Sequence, residues 1–283
     1  MYFPEMYGKA TRKRKPENDL PVQIVQKGFL LQVHAGKAYE PPPCRQKGAK
    51  IKHFSRAARL RLTKNLLTVD YGKTPVSVLI TLTYPDALVP RTKDQRAIDL
   101  SQFLRRIEKH LGRQVYGVWR VEWEARKTGE HRGNIAPHIH LLLFGVVFIH
   151  YRNINVWWRR ILRYSRACRT EIKRAGKVRS TLRYLGKYIK KAGEASLVYA
   201  PNYNSMDGKH YGYVRPKSIP RCKTTWISKP TEAQLEYLFK MHHELWPDSD
   251  TRMGESFSIM AEGAERIMQI CREIGLTNPP STS

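Results

Sequence analysis

The sequence predicts an α+β protein: a central antiparallel sheet with flanking helices, preceded by a basic N-terminal arm and followed by a mainly helical C-terminal extension. Three observations predict it. Val76 to Tyr84, VSVLITLTY, is an apolar, β-branched run closed by Pro85 and Asp86, the pattern of a buried strand ended by a turn. Val115 to Glu124 alternates, with Val115, Gly117, Trp119, Val121 and Trp123 on one face and Tyr116, Val118, Arg120, Glu122 and Glu124 on the other. His138 to Ile149, entered through Pro137, is a third strand. The Gly-containing segment from Ala125 to Ala136 reads as a mobile hairpin connection, which would set the second and third strands antiparallel to each other.

Along the chain, residues 1 to about 50 combine the basic stretch Lys9 to Lys15 with Pro41, Pro42 and Pro43, a composition that predicts an extended or mobile arm. From His53 to Val69, apolar residues recur at near-helical spacing among Arg and Lys, a short amphipathic helix. Between the first two strands, Ile98, Phe103, Leu104, Ile107 and Leu111 form a helical stripe able to cover a sheet face. Two basic helices are predicted over Val156 to Arg174 and Arg179 to Lys191, separated by Gly176. Tyr199 to Trp226 is rich in Pro, Gly and Tyr with possible strands, and further helices fall at Glu232 to Leu245 and Glu255 to Ile274. The expected organisation is an arm and helix over 1–70, a core over 71–195 and an extension over 196–283.

Lys and Arg number 51 against 24 Asp and Glu, a net charge of +27, so the summed field attracts polyanions. The basic residues are spread over the chain instead of clustered beside an apolar segment, which favours nucleic acid over a membrane as the partner. With 41% hydrophobic residues there is enough apolar material for a core, so the charge does not signal simple disorder. Cys44, Cys168, Cys222 and Cys271 stand far apart, without the paired spacing of a zinc ribbon. Met1 to Ala10 lacks the apolar core of a signal peptide, and Leu141 to Ile149 is too short to span a bilayer, so a cytoplasmic protein is expected.

Three motifs carry chemistry. In Pro137-His138-Ile139-His140, strand alternation turns both imidazoles to one side of the sheet, where they form half of a metal site. Imidazole in so apolar a strand is costly unless paired or metallated. On the preceding strand, Glu122 or Glu124 can meet both rings and complete a three-ligand site suited to Mg²⁺ or Mn²⁺, although the donor set also admits zinc. In Arg183-Tyr184-Leu185-Gly186-Lys187-Tyr188-Ile189-Lys190-Lys191, tyrosines four apart share one helical face beside lysines. A phenol with a pKa of ~10 needs such cations, or a polarised phosphate, to act as a nucleophile. Trp157, Trp158 and Tyr164 are aromatics of the kind that stack on unpaired bases, but their helical spacing assigns them to packing.

The order of strand TLTY, acidic strand, P-H-I-H strand and basic Y-x-x-x-Y helix resembles the HUH endonucleases. More narrowly, it resembles the rolling-circle replication initiators of bacterial plasmids and phages, in their two-tyrosine form. The resemblance covers about Val76 to Ala192. It implies a ferredoxin- or RRM-like antiparallel sheet that presents His138, His140 and a third ligand, Glu122 ahead of Glu124, to a divalent cation. It also implies DNA contacts from Thr81, Thr83, Tyr84, Arg183 and Lys190. Tyr184 and Tyr188 become the nucleophiles, Tyr188 for the first cut, with Lys187 and Lys191 assisting. The implied substrate is single-stranded or hairpin origin DNA, and the products are a 5′-phosphotyrosyl link and a free 3′-OH for a host polymerase. No G-x-x-x-x-G-K-[ST] phosphate loop occurs, so a host helicase is expected to open the duplex, in a bacterial plasmid or phage setting. A transposase or relaxase of the same chemistry, a non-catalytic nucleic-acid-binding protein and a zinc hydrolase are the alternatives.

Overall fold

A computed structural model describes residues 23–34, 56–74, 77–88, 92–125, 132–133, 135–166, 168–175, 209–227, 229–245, 251, 256–260 and 264–276. The protein is α+β with two antiparallel sheets, and it divides into two compact units.

The first unit lies within Lys47–Ser55 and Lys73–Pro220. Its elements are β3 (Ser77–Thr83), α2 (Lys93–Leu111), β4 (Tyr116–Ala125), β5 (Ile135–Phe144), α3 (Tyr151–Leu162), β6 (Thr170–Ala175) and β7 (Tyr211–Val214). The strand order β6-β3-β5-β4-β7 puts the P-H-I-H strand at the centre. Side-chain alternation then sorts the sheet into two faces. Val78, Ile80 and Leu82 of β3, Val121 and Trp123 of β4, and Ile139, Leu141 and Leu143 of β5 bury one face against α2 and α3. The helices answer with Leu100, Phe103 and Ile107 from α2, and Ile154, Trp158 and Ile161 from α3. Each such side chain, once buried, contributes roughly 1.5–3 kcal/mol against the entropy of ordering it. Asp99 and Arg96 are the polar members of this layer. Tyr84 donates to Asp99 Oδ2 at 3.1 Å, and the Arg96 guanidinium lies 4.9 Å from the Trp123 ring centre.

Local chemistry sets the helix ends. Thr92 caps α2 in a reciprocal box with Gln95, satisfying two backbone donors, and Gly112 ends it with φ 65°. α3 starts after His150, whose side chain accepts from Arg152 N, and stops at Arg163, itself left-handed at φ 51°.

That stop corrects the expectation of a helix over Val156 to Arg174. Residues 170–175 instead form β6, paired antiparallel to β3 from Thr170 opposite Leu82 to Ala175 opposite Ser77. TEIKRA is a charged edge strand: its period of two is carried by Ile172 alone, while the open hydrogen-bonding edge of β3 supplies the partner. The third strand also runs earlier than expected, over 135–144, with 146–150 outside it.

The second unit draws its elements from Met1–Gln46, Arg56–Gly72 and Arg221–Ser283. They are β1 (Gln23–Lys27), β2 (Leu30–His34), α1 (Arg56–Leu67), β8 (Thr224–Ile227), α4 (Glu232–Leu245), β9 (Phe257–Met260) and α5 (Ala264–Glu273), with strand order β8-β1-β2-β9. Ile24, Leu31, Val33, Phe257 and Ile259 of the sheet pack on Leu238 and Met241 of α4 and Ile267, Ile270 and Cys271 of α5.

Residues 23–34, expected to lie in an extended or mobile arm, form a hairpin. Gly28, at φ 63°, occupies the first place of its two-residue turn, where a Cβ would stand 2.4 Å from the Leu67 carbonyl oxygen. The helix expected over Glu255 to Ile274 is also corrected. Its first residues form β9, which pairs with β2, and α5 begins only at Ala264. The stretches Lys9 to Lys15 and Pro41 to Pro43, and the helix expected over Arg179 to Lys191, lie outside the described residues. Among the described residues no helix is long and apolar enough to cross a membrane.

Candidate metal and nucleic-acid site

The register of the five-stranded sheet sets the polar face. Thr83 of β3 stands opposite His138 of β5, which stands opposite Glu122 of β4. One row along, Glu171, Thr81, His140, Arg120 and Tyr211 follow one another across all five strands. Because Ile139, Leu82 and Val121 point into the helix-covered core, alternation turns these two rows to the opposite face.

Two threonine hydroxyls orient the imidazoles. Thr83 Oγ1 lies 2.9 Å from His138 Nδ1, and Thr81 Oγ1 lies 3.2 Å from His140 Nδ1. The rings are 21° from parallel, with centroids 6.5 Å apart. His140 Nε2 meets Glu122 Oε2 at 2.8 Å, and the glutamate is 8% exposed, so this bond forms in a poorly hydrated setting. In the neutral ring, Nε2–H donates to the carboxylate while Nδ1 accepts from the Thr81 hydroxyl. A hydroxyl is both donor and acceptor, so the same threonine also supports the other tautomer, in which Nδ1–H donates and Nε2 carries a lone pair.

Among the described residues, no three His, Cys, Asp or Glu side chains are grouped as a ready metal cage. In the geometry present, the His140 nitrogen that would coordinate is engaged by Glu122. The residues nevertheless fit a divalent cation in kind. Two imidazoles and a carboxylate share one face, and each Nδ1 is held by an outer hydroxyl, the arrangement that directs Nε2 to a metal.

The remaining expected residues fall in different places. Thr81 and Thr83, expected at DNA, bond the imidazoles. Tyr84, also expected at DNA, is fully buried, donates to Asp99 and lies edge-on to Trp158 at 5.0 Å, so it serves the core. Trp158 is a core residue, as its spacing predicts, and its indole N–H donates to the Thr83 carbonyl at 3.0 Å. Glu124 stands opposite Ala136 in the register, and its side chain lies outside the described residues. So do Arg183, Tyr184, Lys187, Tyr188, Lys190 and Lys191.

Sequence reasoning missed Glu171 and Tyr211 as neighbours of this site. Glu171 was hidden by reading its strand as helix. Tyr211 lies in the segment rich in Pro, Gly and Tyr, where the strand signal is only Tyr211, Tyr213 and Val214 around Gly212. Arg120 was recoverable, since alternation already put it on the Glu122 face.

Residues 77–193 match the family of replication-associated protein ORF2. The matched stretch is under half of the chain, and it contains Thr81, Thr83, Glu122, His138, His140, Tyr184 and Tyr188. Over that stretch the chain is similar to replication-associated proteins. No curated protein and no solved structure matches the chain.

Proposed function

We propose that this chain is a replication initiator of the HUH type, one that nicks single-stranded or extruded origin DNA by tyrosine attack. The carrying observation is the row of Thr83, His138 and Glu122 beside that of Thr81 and His140, on one face of a stretch similar to replication-associated proteins. Each imidazole is held at Nδ1, which makes Nε2 the atom that would coordinate, and at His140 the ion would take the place of the Nε2 contact to Glu122.

In this reading His138, His140 and Glu122 hold Mg²⁺ or Mn²⁺, which when bound supplies charge to polarise the scissile phosphate. Glu122 balances that charge from a buried position. Tyr188 is the first nucleophile. Its phenol oxygen forms a bond to phosphorus as the bond from phosphorus to the 3′ oxygen breaks. The phenol proton passes to solvent, and the departing oxygen takes up a proton to become a 3′-OH. Lys187 and Lys191 favour the phenolate, while Arg183 and Lys190 hold flanking phosphates. The energy of the broken ester persists in the 5′-phosphotyrosyl link. Tyr184, one helical turn away in the predicted helix, then cuts the regenerated origin. A host polymerase extends the 3′-OH, and a host helicase opens the duplex.

The test is covalent adduct formation on single-stranded oligonucleotides of the chain's own replicon with Mn²⁺, read on a denaturing gel. Adduct is expected from the wild type, less from each of Tyr184→Phe and Tyr188→Phe, and none from the double variant or with EDTA. His138→Ala and His140→Ala are each expected to lower the rate by at least a hundredfold, on the order of a lost transition-state contact. Undiminished adduct from the double tyrosine variant would refute the nucleophile assignment. Strand cleavage that needs the metal but neither tyrosine would instead indicate hydrolysis by activated water.

A further inference from the structure

A second cationic feature lies on the helix layer, away from the histidine face. A cavity of about 500 Å³ is lined by Val156, Arg159, Arg160, Arg163, Tyr164 and Ser165, at the C-terminal end of α3. Its size falls within the ~300–1,000 Å³ of small-ligand sites.

Three observations mark it as built for an anion. Among the described residues, none of Arg159, Arg160 and Arg163 is paired with a carboxylate, so three guanidinium groups share the lining of one hollow without a counter-charge. Arg159 and Arg160 lie in the last turn of α3 and Arg163 at its cap, where the helix field favours cations, but that field does not by itself account for a hollow lined by all three. The Arg159 side chain is braced from Nη2 to the Ser165 carbonyl, and its buried Nε has no hydrogen-bond partner among the described residues. Arg163 holds a left-handed backbone at φ 51°, where Gly or Asn would sit with less strain, and its side chain lines the cavity. Val156 and Tyr164 add an apolar wall suited to deoxyribose or a base.

The place in the fold adds to this. Trp158, next to Arg159, donates to the Thr83 carbonyl at 3.0 Å, and the Thr83 hydroxyl contacts His138. The cavity therefore lies at the same end of the sheet as His138, on the opposite layer.

We infer that this arginine-lined cavity is a second phosphodiester-binding site, which grips nucleic acid that continues past the sheet end bearing His138. The inference rests on the nuclease reading only for the identity of the strand held there; the binding itself stands apart from it.

The test uses the full chain and measures affinity against salt, with EDTA present so that nicking plays no part. One arm uses a single-stranded oligonucleotide and the other a duplex. The variant Arg160→Gln/Arg163→Asn removes two charges and keeps a residue tolerant of the left-handed position. Affinity is expected to fall by about tenfold or more, as for charged hydrogen bonds lost. The slope of log affinity against log salt is expected to flatten by about 1.8 on duplex or about 1.4 on a single strand. The arm that responds identifies the form of nucleic acid held. Should the variant unfold, the wild type decides: phenylglyoxal modification of Arg160 and Arg163, read by peptide mass spectrometry, is expected to be blocked by DNA. Unchanged affinity and slope in both arms from a folded variant, or equal modification with and without DNA, overturns the inference. A wild type that binds here yet forms no tyrosyl adduct would sink the nuclease reading alone.

Discussion

Thr83 is the residue on which the candidate site turns. Its hydroxyl contacts His138 Nδ1, its carbonyl accepts from Trp158 of the helix layer, and its amide donates to Arg169 O. It thus couples an imidazole to the packed core. Only the hydroxyl serves both ring tautomers, so the isosteric Thr83→Val change removes the hydrogen bond and leaves volume and strand propensity intact. On the proposed metal reading, metal affinity and adduct rate are expected to drop ~10–100-fold in Thr83→Val, the size of effect seen when the outer partner of a ligating histidine is lost. Thr83→Ser is expected to recover most of the loss. Mn²⁺ titration calorimetry of the three proteins checks this; equal affinity in all three would show that the hydroxyl does not orient the ring.

At the scale of elements, β4 is paired along both of its edges. It pairs with β5 over ten residues and with β7 over four. The second pairing sets Gly212 directly opposite Trp119, and a Cβ on Gly212 would stand 2.7 Å from the indole. The ring thus covers the strand where the glycine offers no side chain. Gly212→Ala displaces the indole or the strand, at an expected cost of about 1–3 kcal/mol. Urea unfolding measures it, and a midpoint equal to the wild type's would show that the indole moves freely. β7 is further tied down by Arg215, just beyond it, whose guanidinium pairs with Glu108 of α2 and donates to the Val115 carbonyl at 3.2 Å. No local pattern announces that pair, since 107 residues separate its members.

For the molecule as a whole, charge and acid sensitivity are the measurable properties. The net charge of +27 gives a field that attracts polyanions without specifying where one is held. Acid sensitivity has a nameable source in His242 of α4, which is 2% exposed and packs on Phe257 at 4.8 Å. Burial first, and then the neighbouring His243, push its pKa down from 6.5 to about 4, against a raising contribution from a backbone hydrogen bond to Ser258. Between those values the unfolded chain binds a proton that the native state refuses. The stability this residue contributes is therefore complete above about pH 6.5 and is lost as pH falls toward 4. Urea midpoints from pH 7 to 4.5 are expected to fall more steeply for the wild type than for His242→Phe. Parallel profiles would assign the acid sensitivity to other groups.

Sequence alone determined what depends on local periodicity and residue chemistry. This includes the strands around 77–83 and 116–125, the apolar stripe of the helix over 93–111, and the sharing of one face by His138 and His140. Only the tertiary structure decided that residues 170–175 complete the sheet as an edge strand and that residues 23–34 pair with strands from the far end of the chain. It likewise decided that Thr81 and Thr83 turn to the imidazoles and that Tyr84 goes into the core. The physical reason is one of range. Alternation and helical spacing act over a few residues, whereas pairing partners, register and burial are set by whichever distant segment satisfies an open edge or covers an apolar face.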